Sequence, residues 1–361
     1  GIQKGGVARR ATYLNEVREH HDVLLVDSGN TLFGIQFASD TDGKALLEAM
    51  NDMHYDAMAI GALELSEGLE AFKGLQEAAE FPLLSANLVD AKGELLTEPY
   101  TIVTKNGLRV AVIGVSEPSA VLKIHAPMIA DQADTRDAAE AVRSVINTIG
   151  PQADLFVVLS RQGLRADRDL AAAVPTIDVI IGGSDRTLMS EPETVGSTVI
   201  VQQGYQGEWV GHTCLEIDRQ HIVVKATTEA VALTSDYADD PAMLESVFSL
   251  VRWAGYIAPL GNPRDGEKPV AYIVVLADTS IRASGYEHDA GAAIENISLL
   301  AWSQGIGSCW IGSTIFAPEV VREELGLPAE WSPLGAVAVG YPLIEPEPRE
   351  PADPGEALVE L

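Results

Sequence analysis

Short runs of consecutive apolar residues alternate with helical patterns along the first two thirds of the chain. Four such runs, each with a Gly or Asp within two residues of an end and rich in β-branched residues, lie at 23–26, 110–113, 156–159 and 179–181. Continuous apolar runs are typical of strands that are buried on both faces of a sheet. The pattern predicts a layered α/β domain in which these four runs are adjacent strands covered by helices.

The pattern changes near residue 234, where a polar, acidic stretch is typical of a linker. After it come a predicted helix at 243–253, a Gly/Pro-rich loop at 259–269, a β-forming run at 270–276, a long predicted helix at 289–304 and a last strand at 335–340. The end of the chain is rich in Pro and Glu and is expected to be extended over a surface. The predicted organisation is therefore a first domain at 1–233, a linker at 234–243, a second segment at 244–343 and a tail at 344–361.

Composition narrows the classes of function. The chain is 47% hydrophobic, as expected of a globular protein, and its formal net charge of −29 disfavours binding to nucleic acid or to anionic membranes. No apolar run approaches the roughly 18 residues that would span a bilayer. The first residues contain neither a signal peptide nor an initiator Met, so we expect a processed or truncated end, and the compartment stays open. Cys214 and Cys309 form neither a Cys-x-x-Cys motif nor a disulfide framework.

Gly-rich turns follow several of the predicted strands of the first domain: Ser28-Gly-Asn30, Gly61-Ala-Leu-Glu64, Ser160-Arg-Gln162 and Gly182-Gly-Ser-Asp-Arg186. Loops at the carboxyl ends of strands converge on one crevice in α/β folds. The order and surroundings of these turns resemble the 5′-nucleotidase family of metallophosphatases. The resemblance implies a layered calcineurin-like fold and, in active members, two metal ions that polarise a phosphate and activate a water.

This sequence departs from the family at the metal-ligand positions. Asn30 stands where the family has a metal-bridging Asp, Ala62 and Leu63 where it has an Asn-His pair, Arg161 where it has a His, and Ser184 and Arg186 where it has two more His. The family's first strand, with its Asp-x-His, would precede Gly5. We therefore expect no metal pair and no hydrolysis of phosphate esters. Two roles are open for Arg161 and Arg186: an anion-binding pocket, or ion pairs with Asp185 or Glu64.

The second segment resembles the nitroreductase family. The similar stretches include Val251-Arg-Trp-Ala-Gly-Tyr256, Gly305-Ile-Gly-Ser-Cys-Trp-Ile-Gly312 and Ala336-Val-Ala-Val-Gly-Tyr-Pro342. The resemblance implies a partial α+β nitroreductase-like domain and FMN as cofactor. It places Ser308 and Gly312 against the flavin ring, with Trp310 and Ile311 presenting backbone amides to it. Arg349 would contact the FMN phosphate, although three neighbouring Glu residues weaken that assignment.

The family's opening helix, which clamps the FMN phosphate, has no counterpart before residue 244. The resemblance therefore implies that a second subunit or a partner protein completes the flavin site, and a homodimer through the helix at 289–304 is one way to do so. The alternative is that the segment at 308–312 only connects two elements and binds nothing.

Three functions remain open, and whether the chain is an enzyme remains open with them. The first is a non-catalytic metallophosphatase-like scaffold or binding domain that carries a partial flavin module in a larger assembly. The second is an FMN-dependent NAD(P)H oxidoreductase. The third, which has the least support, is a nucleotide-binding protein or a 5′-nucleotidase-like hydrolase.

Overall fold

Two sheets stacked face to face and enclosed by helices form the first of two units into which the chain divides, Gly1–Val251 and Arg252–Leu361. The computed structural model describes residues 4–33, 41, 43–244, 246, 271–278, 280, 286–304, 306–311 and 318–340.

The first unit alternates helices and strands. Its helices are α1 (Val7–Arg18), α2 (Lys44–Asp52), α3 (Leu69–Ala78), α4 (Ser119–His125), α5 (Ala138–Ile149) and α6 (Leu164–Ala173). Its strands are β1 (Val26–Asp27), β2 (Ala57–Ala59), β3 (Leu83–Leu84), β4 (Leu88–Asp90), β5 (Tyr100–Lys105), β6 (Leu108–Val115), β7 (Ala133–Thr135), β8 (Leu155–Ser160), β9 (Val179–Gly182), β10 (Glu193–Val195), β11 (Thr198–Val201), β12 (Trp209–Ile217) and β13 (Val223–Ala232).

The larger sheet has six strands in the order β10-β11-β9-β8-β6-β5. Three of the predicted runs, 110–113, 156–159 and 179–181, are its neighbouring parallel strands β6, β8 and β9, as expected. Strands β5 and β6 form a hairpin through Asn106 and Gly107, both with positive φ (49° and 79°). Asn-Gly is favoured in such two-residue turns because both positions must adopt left-handed backbone angles.

The expectation that all four runs share this sheet is wrong for residues 23–26. Only Val26–Asp27 is a strand, and it pairs with β2 in a separate parallel sheet of order β1-β2-β3. A short apolar run does not reveal its partner strand, because both sheets bury residues of the same kind.

The prediction that helices cover the large sheet is correct for one face only. On that face α5 and α6 pack over side chains such as Val158 and Ile180. On the other face Val157 and Val179 meet β2, β3 and the β12–β13 hairpin in a second apolar cluster. The smaller sheet is covered in turn by α1, α2 and α3. The layers are thus helix, sheet, sheet and helix.

The second unit contains a three-stranded antiparallel sheet of order β14-β16-β15. Its elements are β14 (Ala271–Asp278), α7 (Tyr286–Ser303), β15 (Gly307–Ile311), α8 (Pro318–Leu325) and β16 (Trp331–Gly340). Helix α7 packs on the sheet through buried Ala290 and Ile294. Strand β16 begins earlier than the predicted 335. Residues 308–311 of the predicted flavin segment belong to strand β15.

The predicted linker does not stand apart from the first unit. Thr12 on α1 donates to the carbonyl of Ala238 at 2.7 Å, and the Asp240 N–H donates to the carbonyl of Ala8 at 3.2 Å. Of the helix predicted at 243–253, residues 243, 244 and 246 are helical and the others lie outside the described residues, as does the predicted tail. In the part of the chain that the structure describes, no helix combines the length and apolar character needed to cross a membrane.

Candidate functional site

Asn30 follows β1 and links the turns at the carboxyl ends of β2 and β6, where the sequence predicts a crevice. Its Nδ2 donates to Glu117 Oε1 at 2.7 Å, and its Oδ1 accepts from the Leu63 N–H at 2.8 Å. The backbone at Asn30 is left-handed, with φ of 58°, a conformation that Asn tolerates better than most residues. Both ends of the side-chain amide are therefore already bonded to protein groups.

Glu64 is fully buried, and the hydrogen bonds that its carboxylate accepts from the described residues come from backbone N–H groups. Four N–H groups donate to it at 2.8–3.1 Å, those of Asn30, Thr31, Leu32 and Gly61. Burial raises the pKa of the Glu64 carboxyl, and the charge of Glu117 adds to the effect, while the amide bonds oppose it. Glu64 thus organises the two turns that follow β1 and β2.

Glu117 follows β6, and its carboxylate pairs with a cationic side chain in the same crevice. The Arg161 Nε lies 3.6 Å from Glu117 Oε1, and the Ala62 N–H donates to Glu117 Oε2 at 3.0 Å. The two charged side chains are largely buried, with 14% of Arg161 and 3% of Glu117 exposed. The guanidinium supplies the positive charge that a buried carboxylate needs nearby.

The turn after β9 makes room for that guanidinium. A Cβ on Gly183 would collide with Arg161 Nη1 and would lie 2.8 Å from Ser28 Oγ, so a side chain there would require the guanidinium to move. Ser184 and Arg186 both have left-handed backbone angles and are exposed, and the Arg186 guanidinium lies over the Tyr205 ring, 5.2 Å from its centroid. Arg161 therefore pairs with Glu117 instead of the expected Glu64 or Asp185.

A second buried acid lies beside the crevice. Ser160, the last residue of β8, donates to Asp167 Oδ1 at 2.5 Å, and Asp167 is fully buried on α6. Gly182 is paired with Ser160 in the sheet, and a Cβ atom at Gly182 would lie only 2.6 Å from the Asp167 Oδ2. Burial raises the pKa of Asp167 to about 7.

The residues of these turns do not fit a pair of divalent metal ions. Ala62 is buried and apolar, the Asn30 amide is fully engaged, and the Arg161 cation is beside the carboxylate that would otherwise be available. Within the described ranges, no group of three or more His, Cys, Asp or Glu side chains could hold a metal ion. Charge is balanced here by an internal guanidinium.

The predicted flavin segment lies on an edge strand of the second unit. Among the described strands, β15 pairs only with β16, with Ser308 opposite Val339 and Trp310 opposite Val337. The Ser308 side chain is exposed, and the Trp310 indole is 60% exposed. Ile311 ends the strand, and Gly312 and Arg349 lie outside the described residues.

Both the first part of the chain and residues 222–341 are similar to known proteins. Snake venom 5′-nucleotidase of Crotalus adamanteus is 30% identical over 266 residues, which are 65% of this chain and 44% of that protein. The 5′-nucleotidase precursor of Thermus thermophilus shares the fold with a TM-score of 0.62 at 24% identity, covering 72% of this chain and 55% of that one. The calcineurin-like phosphoesterase YfkN of Bacillus subtilis shares the fold with a TM-score of 0.61 at 23% identity, covering 70% of this chain and 88% of that one. Residues 222–341 match the model of the Nitroreductase family.

The chain joins a 5′-nucleotidase-like metallophosphatase domain to a nitroreductase-family segment. It spans about half the length of the curated nucleotidases that it matches. The nitroreductase match begins at residue 222, within the β12–β13 hairpin of the metallophosphatase-like domain.

Two acids of this metallophosphatase-like domain are absent from the sequence-based site. Glu117 follows the carboxyl end of β6, and the same strand-end reasoning that selected the other turns would have found it. Asp167 shares a helical face with Leu164, Leu170 and Ala171, at spacings of three and four residues. An acid on the apolar face of an amphipathic helix is the signal that could have identified it.

Proposed function

We propose that the metallophosphatase-like domain is a non-catalytic scaffold or binding domain. The observation that carries the proposal is the Arg161–Glu117 pair, with Asn30 bonded to the same carboxylate, in the crevice where the family resemblance places two metal ions. A fixed internal cation neutralises the acid without leaving a coordination position for substrate or water.

The chemistry of phosphate ester hydrolysis explains why this substitution matters. A metal ion polarises the phosphate oxygens and turns a bound water into a hydroxide nucleophile at neutral pH. A guanidinium binds phosphate oxygens but has no open coordination position for water. Arg161 can therefore replace the charge of a metal ion, but it cannot turn a bound water into a nucleophile.

The rival function is hydrolysis, because the curated relatives include 5′-nucleotidases. The test is phosphate release from nucleoside monophosphates in the presence of Mn²⁺, Mg²⁺ or Zn²⁺. The proposal expects release no faster than in protein-free solution. Metal-dependent turnover that Asn30→Ala abolishes, and that Arg168→Ala on the exposed face of α6 leaves intact, would establish the hydrolase instead.

A second candidate function, FMN-dependent oxidoreduction, is favoured by the family match over residues 222–341. We propose that flavin lies against residues 308–312, because β15 leaves one backbone edge unpaired among the described strands and because the family resemblance places the ring there. When bound, FMN would supply hydride transfer, and the Trp310 and Ile311 amides would support charge on its ring. Arg349 stays a proposed contact of the FMN phosphate.

The flavin proposal is tested by titrating FMN into the wild-type protein and Gly312→Val while following flavin fluorescence. Quenching by the wild type and weaker quenching by the variant are expected, because a side chain at that position would keep the backbone from the ring. Equal quenching by both proteins, or none by either, would reject the site.

We further propose a homodimer through α7. Leu299 and Leu300 on this helix are 58% and 65% exposed, and a subunit contact would cover this adjacent apolar pair. Light scattering should give twice the chain mass for the wild type and the chain mass for Leu299→Lys/Leu300→Lys. A monomeric wild type, or a dimer that survives the double substitution, would contradict the interface.

A further inference from the structure

Three polar side chains outside the crevice, two on β12 and one on α1, form a connected line. His212 and Cys214 are two residues apart on β12 and therefore point to the same face of the strand. The His212 Nε2 lies 3.6 Å from Cys214 Sγ, and the His212 Nδ1 lies 2.8 Å from the hydroxyl of Tyr13 on α1. Cys214 is a free thiol on an exposed surface.

The contact with Tyr13 favours one tautomer of His212. The Tyr13 side chain is buried, with its ring edge-on to Tyr237 at 5.4 Å, and burial together with Tyr237 and Glu229 raises its pKa to about 12. The phenol therefore keeps its proton and can donate it to His212 Nδ1. A neutral imidazole whose Nδ1 accepts has its single N–H on Nε2, the atom that faces Cys214.

An N–H directed at sulfur stabilises the negative charge of a thiolate as it forms and attacks. A nucleophile within hydrogen-bond reach of an imidazole, which is itself oriented by a third group, is the arrangement that characterises activated thiols. We propose that Cys214 is a nucleophilic thiol that undergoes thiol–disulfide exchange with small disulfides, with His212 and Tyr13 as its positioning residues.

The exchange is balanced without any further reactant. The Cys214 thiol loses its proton to water, and the thiolate attacks one sulfur of the small disulfide. A new S–S bond joins Cys214 to that half of the molecule, while the other half leaves as a thiolate and takes a proton from water. Cys214 is oxidised, and the leaving half is reduced to a thiol.

The charges around Cys214 favour a cationic disulfide over an anionic one. Glu229 is the cross-strand partner of His212, and Glu216 lies two residues beyond Cys214 on the same face, although Lys225 pairs with it. Glu16 on α1 also acts on Tyr13. The exposed His21 ring stands 6.3 Å from the His212 ring. These acids oppose formation of the thiolate, an effect that the His212 N–H must offset. They should also make cystamine react faster than oxidised glutathione.

A structural metal ion is the competing use of a thiol beside an imidazole. It would need a third donor, and the described residues contain no group of three or more metal-ligating side chains of this kind. A chance neighbour is the other competing explanation, and in that case His212 would have no effect on the thiol.

The test measures modification of the full chain by cystamine, with peptide mass analysis to distinguish Cys214 from Cys309. Cys214 is expected to react about tenfold faster than N-acetylcysteine, the effect of one hydrogen bond to a charged group, and His212→Ala should remove that advantage. Tyr13→Phe should lower the rate and change its pH profile, because Nδ1 then takes up the ring proton more readily. His125→Ala, on an exposed position of α4, should leave the rate unchanged.

A Cys214 rate equal to that of N-acetylcysteine, or a rate insensitive to His212→Ala, would overturn the proposal. Faster reaction with oxidised glutathione than with cystamine would overturn the assigned substrate class. Circular dichroism of each variant establishes that the fold is retained, so that a lost rate reports the loss of the His212 contact. Metal analysis that finds a stoichiometric ion lost in Cys214→Ser would replace exchange with metal binding.

Discussion

Removing the Arg161 guanidinium tests whether it neutralises the crevice. Arg161→Met keeps most of the aliphatic volume and leaves Glu117, 3% exposed, without the cation that lies 3.6 Å away. Breaking a buried ion pair from one side costs about 3–5 kcal/mol because the remaining charge stays desolvated. Glu117 keeps its bonds from Asn30 and Ala62, at 2.7 and 3.0 Å, so we expect the lower end, about 3 kcal/mol.

The matched control is Arg168→Met on the neighbouring helix α6. Arg168 pairs with Glu193 at 2.6 Å, a shorter distance, but 46% and 32% of the two side chains are exposed. Exposed pairs contribute less than about 1 kcal/mol, so this variant should be nearly as stable as the wild type. The double variant Arg161→Met/Glu117→Gln leaves no charge unpaired, but its amide N–H faces the donor of Asn30 or Ala62, so it should recover only part of the loss.

Hydrogen exchange of peptides from β6 and β8 in increasing urea reports the opening free energy of the first unit by itself. Equal losses of opening free energy for Arg161→Met and Arg168→Met would refute the assigned role of the Arg161 guanidinium. A double variant that is less stable than Arg161→Met would refute it as well.

Three further substitutions follow from the same crevice. Asp167 has its pKa raised to about 7, so the folded state holds a proton that the unfolded chain loses near pH 4, and stability should fall between pH 4 and 7 by at most about 4 kcal/mol. Urea titrations at several pH values should show that Asp167→Asn removes this slope, and an unchanged slope would contradict the assignment. Glu64→Gln should cost about 2 kcal/mol, because its amide N–H would face backbone donors; a neutral effect on urea unfolding would contradict the acceptor role. Asn30→Asp should lower the melting temperature more at pH 8 than at pH 4, because it places a second carboxylate 2.7 Å from Glu117; equal shifts would argue against charge repulsion.

The sequence predicts the parts of the fold that depend on local pattern. The runs at 110–113, 156–159 and 179–181 became neighbouring strands because each is apolar on both faces and ends at a Gly or polar turn. Residues 23–26 have the same composition but belong to the smaller sheet. Strand pairing is a long-range choice that composition alone does not encode.

The same distinction between local pattern and long-range contacts applies to the candidate site. Asn30, Ala62, Leu63 and Arg161 are linked through Asn30 and the Glu117 carboxylate, because each follows the carboxyl end of a strand in one of the two sheets. The partner of Arg161 was not predictable from its neighbours in sequence, since Glu117 lies 44 positions away and contacts it only through the adjacent ends of β6 and β8.

Anomalous diffraction from crystals soaked in Mn²⁺ tests the central claim most directly. We predict no pair of anomalous peaks at the turns that carry Asn30, Ala62, Arg161 and Ser184, and guanidinium density beside Glu117 instead. Two peaks roughly 3.5–4 Å apart, ligated by residues of these turns, would show a working metal pair and contradict the account.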